Sequence, residues 1–274
     1  MTISLNGKLL LAGAGKMGGA MLAGWLDRGL NTAQVIVQDP APPPENVKLI
    51  EQYKLAKREP GAPLSEPPAV IVVAVKPQVM GDVFPDLATL AGPNTVVLSV
   101  AAGKTIASFE KHLPVGTAVV RSIPNTPAAI GRGITVCCAN AHVTPAQRDM
   151  CQELLSAVGE VGWVEDELLI DAATAVSGSG PAYVFLLAEC LAEAGRAVGL
   201  DPELAKRLAN STVSGAGELL RQSGLEPAIL RQNVTSPGGT TAAALSILMA
   251  EDGLQPLLTR AVEAAAKRSR ELSG

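Results

Sequence analysis

Three observations predict an α/β fold: a doubly wound, largely parallel sheet in the N-terminal part, followed by an all-helical part. Short, near-continuous runs of β-branched and aliphatic residues alternate with helical stretches up to about residue 163. Beyond residue 166 no strand signal recurs, and apolar residues fall at helical spacing. A glycine-rich turn stands directly between the first apolar run and the first helical stretch. Strands that are apolar on both faces need helices on both sides of their sheet, which is the geometry of a parallel α/β domain. The expected division is therefore an α/β domain over 1–163 and a helical domain over 164–274.

Seven runs carry the strand signal: KLLLAG (8–13), QVIVQD (34–39), AVIVVAV (69–75), TVVLSV (95–100), AVVRSI (118–123), GITVCCA (133–139) and GEVGWVE (159–165). In the second half a helix is predicted from Pro181 to Gly199, and another opens on an Asp201 cap with Pro202 and closes near Gly224. TTAAALSILMAEDG and LQPLLTRAVEAAAKRSREL complete the helices. This part is too small and too alanine-rich for a deep core of its own. Close helix approach through Ala and Gly predicts that it intertwines with a second copy in a symmetric dimer.

Composition narrows the function classes. Apolar residues make up 47% of the 274 and charged residues 18%, enough to build real cores. With 22 basic against 26 acidic residues and no basic block, nucleic acid and anionic membranes are poor partners. No consecutive apolar run reaches the roughly 18 residues of a spanning helix. The opening apolar stretch is interrupted by Lys16, against a signal peptide, and a cytoplasmic protein is expected. Cys137, Cys138, Cys151 and Cys190 lack metal-ligand spacing and are expected as reduced, buried thiols, with 137 and 138 on opposite strand faces. Neither a metal nor a disulfide is expected.

The turn Gly13-Ala14-Gly15-Lys16-Met17-Gly18 follows a strand and opens a helix, the context in which G-x-G-x-x-G binds a dinucleotide. Gly13 serves the tight turn, Gly15 the approach of a pyrophosphate, and Gly18 the packing of helix on strand. Lys16 and Met17 begin the helix whose free amides face the phosphates. Asp39, at the end of the second run, stands where an acid accepts the 2′-hydroxyl of NAD, while Lys48, Lys54, Lys57 and Arg58 remain available for a 2′-phosphate; NADPH and NADH both stay open. Ala74, Val75, Lys76 and Pro77 close the third run on the same crevice. Asn125 and Thr126 lie between two prolines after the fifth run, a placement suited to contacts with a nicotinamide amide.

A second cradle is written at VTSPGGTT (234–241), where Pro237 and two glycines lead into an apolar helix. Amides of Gly239, Thr240 and Thr241 at a helix start converge on one anion, and without a basic residue in the loop a small carboxylate fits better than a phosphate. Ketone reduction needs a proton donor, commonly His or Lys. The helical part has no His, and its lysines, Lys206 and Lys267, read as solvated. A cyclic imine relaxes that need, because its iminium form accepts hydride directly. The run Glu165-Asp166-Glu167 reads as a surface at the domain junction.

SPGGTTAAALSILMAED, preceded by PAILRQNV, closely resembles the signature of pyrroline-5-carboxylate reductases. GAGKMG, AVKP, SVAAG, NTP, VEDELLIDAATAVSGSGPAY and AVEAAAKRSREL extend the likeness over nearly the whole chain. The resemblance implies a Rossmann domain feeding a helical dimerisation domain, NADPH or NADH as hydride donor, L-proline as product, and a homodimer that in some members assembles into decamers. It implies that Ser236, Gly239, Thr240 and Thr241 hold the substrate, that Thr241 bonds the imine nitrogen, that the Val234 carbonyl accepts from it, and that Thr174 lies near the nicotinamide. Asp39 departs from the Ser or Thr that many relatives carry near there. A β-hydroxyacid dehydrogenase of similar architecture would need a lysine facing the nicotinamide, for which the chain offers no convincing candidate. A cofactor-sensing non-enzyme would have no use for the carboxylate cradle.

Overall fold

The computed structural model describes residues 3–273. Each of the seven predicted strands forms: β1 (Leu9–Ala12), β2 (Val35–Gln38), β4 (Val70–Val73), β5 (Val96–Ser99), β6 (Ala118–Pro124), β7 (Gly133–Ala139) and β8 (Gly159–Trp163). An eighth, β3 (Ala56–Lys57), escaped the sequence because it is two exposed residues long. They form one sheet in the order β3-β2-β1-β4-β5-β6-β7-β8. Pairing is parallel except between β6 and β7, so β7 and β8 run against the rest. The order reverses between β1 and β4, and at such a switch the carboxyl ends of the strands open a ligand crevice.

Helices cover both faces, as strands without a polar face require. Leu9, Leu11, Val70 and Val72 point to the side of α1 (Lys16–Asp27) and α5 (Pro145–Ser156), packing with Trp25, Leu154 and Cys151. Trp25 is fully buried, and its ring N–H donates to the Leu154 carbonyl at 2.8 Å. The alternate residues Leu10, Ile71, Val97 and Val119 pack with Phe84 of α3 (Met80–Ala88) and Phe109 of α4 (Ile106–Glu110). Each large apolar side chain so buried contributes ~1.5–3 kcal/mol. Cys137 joins the first layer and Cys138 the second, as strand alternation predicts. Cys151 is buried too, but Cys190 is exposed, contrary to expectation, because its helix buries no residue within the chain.

The polypeptide divides into two compact units. One is the chain up to Gly178 together with the stretch from Ala266 onward; the other is Ser179–Ala265. The first unit runs past residue 163 because α6 (Leu169–Ala173) belongs to it through a buried polar network. Arg121 of β6, 3% exposed, donates to Glu167 at 2.8 Å and to the Ser273 hydroxyl at 3.3 Å, and its guanidinium lies 3.9 Å from Asp171. Asp171 accepts from the Ser269 hydroxyl at 2.6 Å, and Glu167 also accepts the Ile106 amide at 2.8 Å. Of the acidic run, Glu165 and Asp166 are the exposed surface residues expected. Glu167 is a half-buried partner of Arg121, and Asp166 caps the Leu168 amide at 2.9 Å.

The second unit is helical, with α7 (Gly180–Ala197), α8 (Pro202–Ser223), α9 (Pro227–Asn233), α10 (Thr240–Leu248) and most of α11 (Leu254–Ser273). Asp201 caps α8 as predicted, accepting the Glu203 and Leu204 amides at 3.0 and 3.2 Å, and Gly224 ends it left-handed. Among the described residues of this unit only Ala205 and Ala209 are buried, whereas Phe185, Leu187, Leu208, Leu219 and Ile247 are exposed. Leu169–Ala197 is long and apolar enough to cross a membrane by length and composition. It contains no consecutive apolar run of that length, because Thr174, the segment 177–181, Glu189 and Glu193 interrupt it.

Candidate functional site

The carboxyl ends of β1, β2 and β4 open on a cavity of about 790 Å³. Of the residues predicted to hold a dinucleotide, Gly13, Gly15, Lys16 and Met17 line it from the β1–α1 turn. Asp39 lines it from the end of β2, and Ala74, Val75 and Lys76 from the end of β4. Gly18 and Pro77 lie outside the lining. Gly18 is buried where a Cβ would collide with the Gly13 carbonyl oxygen, the packing role expected of it. Gly13 adopts φ 91°, and a Cβ there would lie 2.7 Å from the Ala74 carbonyl group, so only glycine fits this turn. A Cβ on Gly15 would meet nothing within 4 Å. That open space, above a helix N-terminus with no side-chain cap and no acid in its first turn, fits the pyrophosphate of a dinucleotide.

Two polar residues that the sequence did not mark shape this turn. Asn46, 8% exposed on α2 (Pro44–Gln52), donates its amide to the carbonyls of Ala14 at 2.7 Å and Gly15 at 3.1 Å. Both carbonyls are thereby engaged from the α2 side, while the Ala14 amide donates to the Asp39 carboxylate at 2.6 Å. Gln38 ends β2, and its backbone carbonyl accepts the Gly13 amide at 2.9 Å. Its side chain bonds Arg58, which is buried and paired with Asp86 at 2.7 Å. Hydrogen bonds from Arg58 hold the Asp86 carboxyl below the usual carboxylate range. Among the lysines weighed for a 2′-phosphate, Lys48, Lys54 and Lys57 are exposed and none lines the cavity.

Asn125, which follows β6, and Thr174 both lie outside this cavity. The Asn125 side chain accepts the Ile134 amide at 2.9 Å and donates to the Ser177 carbonyl at 3.1 Å. Thr174 opens a π turn, Thr174–Gly178, and its hydroxyl donates to the Ile170 carbonyl at 2.7 Å. Such turns inside helices often mark functional positions. Thr126 is exposed. A separate cavity of about 800 Å³, reached by Asn6, Glu66 and His142, sits at the amino ends of the strands and carries none of the predicted residues.

The second predicted cradle lies in the helical unit. After α9, the turn through Pro237 places Gly238 at φ 69°, a left-handed conformation that glycine adopts without strain. Gly239 is the N-cap of α10, and its amide donates to the Ser236 carbonyl at 3.0 Å, so it closes the turn rather than facing outward. Thr240 and Thr241 are the first residues of α10, whose opening amides have no acceptor within the helix. Their hydroxyls make no hydrogen bond among the described residues; Thr240 is exposed and Thr241 half-buried. Val234 caps the end of α9 and is exposed. Lys206 and Lys267 are exposed, as read from the sequence.

A doubly wound sheet with its cavity at the topological switch and a glycine turn shaped for pyrophosphate define a dinucleotide-dependent oxidoreductase. Residues 167–272 match the family model for pyrroline-5-carboxylate reductase dimerisation, and residues 8–103 match that for NADP oxidoreductase, coenzyme F420-dependent. Pyrroline-5-carboxylate reductase of Pseudomonas aeruginosa is 41% identical over 266 residues, covering 97% of each chain. That of Mycobacterium tuberculosis is 40% identical, covering 97% of this chain and 96% of the other. Among solved structures, the Coxiella burnetii enzyme superposes with a TM-score of 0.91 at 32% identity, over 98% of this chain and 100% of that one. The Plasmodium falciparum enzyme, solved with NADP bound, gives 0.80 at 29% identity, over 98% and 99%. The chain belongs to the pyrroline-5-carboxylate reductase family.

Proposed function

We propose that this chain reduces 1-pyrroline-5-carboxylate to L-proline with hydride from NADPH or NADH, the last step of proline biosynthesis. The observation that carries the reading, among the chain's own residues, is the start of α10. There a left-handed Gly238 presents two first-turn amides and two unengaged hydroxyls in a loop without a basic side chain. The substrate carboxylate accepts from the amides of Thr240 and Thr241, aided by the positive end of the helix. Gly239 supplies the shape of the turn and Ser236 a further hydroxyl. The Thr241 hydroxyl and the Val234 carbonyl orient the ring nitrogen.

The bound dihydronicotinamide supplies the hydride. Because the substrate arrives as an iminium, its nitrogen takes the C=N electron pair and becomes the amine, and no side chain has to deliver a proton to an alkoxide. That accounts for a helical unit without histidine. The chain's contribution is then chiefly orientation. Gly13, Gly15, Lys16, Met17, Asp39, Ala74, Val75 and Lys76 hold the dinucleotide, Gly18 packs helix on strand behind them, and Asn125 and Thr174 are set towards its nicotinamide end.

We assign nucleotide binding to 1–163, and substrate binding and dimerisation to 164–274, a division supported by a dimerisation match that begins at residue 167. Two copies join through the helical part. The support is its exposed Phe185, Leu187, Leu208 and Leu219, which within a single chain lack apolar cover. This also gives the apolar stretch Leu169–Ala197 a role other than membrane insertion, and decamers are dimers assembled further. A net-acidic chain of this activity acts in the cytoplasm, without nucleic acid or membrane as partner.

The test is oxidation of NADPH and NADH by the purified chain on adding pyrroline-5-carboxylate, with proline as product. Turnover of β-hydroxy acids in place of the imine overturns the reading.

A further inference from the structure

We propose that the cavity selects the coenzyme lacking a 2′-phosphate, so that NADH is preferred to NADPH, and that Asp39 is the residue that sets the preference. The inference rests on the dinucleotide reading of this cavity and deepens it. Asp39 is fixed at the end of β2, where the ribose of the adenosine half docks. One carboxylate oxygen accepts the Ala14 amide at 2.6 Å and the other the Ala41 amide at 2.9 Å. Two backbone donors thus hold the carboxylate in place, with lone pairs left over to accept from a 2′-hydroxyl.

A 2′-phosphate brought to the same point needs donors, and the local sequence withholds them. The residues after Asp39 are Pro40-Ala41-Pro42-Pro43-Pro44. Proline has no amide hydrogen, and the one amide present, that of Ala41, is already spent on Asp39. No hydroxyl occurs in the stretch. The helix that follows starts with Pro44 and then Glu45, so its first turn carries a carboxylate, and the Asn46 and Val47 amides donate back to the Pro43 carbonyl at 2.9 and 3.0 Å.

The nearest buried cation does not compensate. Arg58 follows β3, but its guanidinium is spent on four hydrogen bonds, two to Asp86 at 2.7 and 3.0 Å, one to Gln38 and one to the Ala62 carbonyl at 2.7 Å. Asp39, Asp82 and Asp86 line the cavity against Lys16 and Lys76. Lys16 opens α1, the place of the pyrophosphate, and Lys76 follows β4, so neither belongs to the β2 loop. Placing a phosphate against a fixed carboxylate without a donor is a like-charge contact, which discriminates strongly between partners.

The experiment compares kcat/KM for NADH and NADPH with pyrroline-5-carboxylate, and separately the affinities of NAD+ and NADP+ by calorimetry without substrate. The expected result is a preference for the unphosphorylated coenzyme of about tenfold or more in both readouts. Asp39→Asn keeps an acceptor for the Ala14 amide and removes the charge, and Asp39→Ser adds a hydroxyl. Both shift the ratio towards NADP(H), by about tenfold. Equal or tighter binding of NADP+ by the unsubstituted chain overturns the inference, as does an unchanged ratio in a folded Asp39→Asn variant. Selective binding of NAD+ without any pyrroline-dependent turnover upholds it and instead refutes the proposed activity.

Discussion

Replacing Asn46 by alanine tests whether the dinucleotide turn is held from behind. The side chain is buried and donates to the Ala14 and Gly15 carbonyls. The Gly15 carbonyl keeps the Gly19 amide at 2.8 Å, so the loss falls mainly on Ala14, whose carbonyl is left without its side-chain donor. An unsatisfied buried acceptor costs about 1–3 kcal/mol. Taking about 2 kcal/mol, and the few degrees per kcal/mol typical of chains this size, Tm falls by about 4–8 °C. If half of that loss returns as the cost of ordering the turn on the coenzyme, Kd rises about fivefold. Differential scanning calorimetry gives the first quantity and coenzyme titration the second. A drop in Tm with unchanged coenzyme affinity refutes the clamp, because Asn46 would then support the fold without shaping the turn. Asn46→Asp sharpens the comparison: a carboxylate set against two carbonyl oxygens weakens coenzyme binding further than alanine does.

Three other outcomes are expected. Thr241→Ala lowers kcat about tenfold, equivalent to ~1.4 kcal/mol, while Tm is unchanged because the hydroxyl has no partner among the described residues; steady-state kinetics with unaltered turnover removes Thr241 from the mechanism. Arg121→Met leaves Glu167 and Asp171 without their buried cation and destabilises the chain by about 3–5 kcal/mol in urea titration, whereas a loss below about 1 kcal/mol shows that the network is not a buried ion cluster. Because the folded-state pKa of Asp86 is depressed, its contribution is present above its unfolded value of about 3.9 and is lost as the pH falls through the lower folded value. Urea midpoints measured from pH 7 down to about pH 2.5 therefore fall less steeply for Asp86→Asn below about pH 4, and parallel curves contradict the assignment.

The sheet was legible because its strands are buried on both faces, so that β-branched composition alone marks them. β3 was not, since two exposed residues carry no pattern. The glycine turn and Asp39 were legible from position, and the structure gathers them around one cavity. Asn46 and Gln38 were not, because a polar residue on a short helix or at a strand end reads as surface until its partner is known. Gly239 shows the limit of reading a loop by residue type: the order Ser-Pro-Gly-Gly gives the turn, but which amide the turn consumes depends on backbone angles. Arg121 and Glu167 lie 46 residues apart, and no periodicity links them. The role assigned to Thr174 came from family likeness, not from any local pattern.

The final turns of α11 supply Ser269 and Ser273 to the polar network under β6. During synthesis, the sheet half of the polypeptide leaves the ribosome well before those serines exist. Until they arrive, Asp171 must find water or remain poorly compensated beside Arg121. Assembly of the nucleotide-binding half is therefore completed only after translation has passed residue 273, and nascent chains halted before residue 266 should show a more protease-sensitive β6–α6 region than full-length ones.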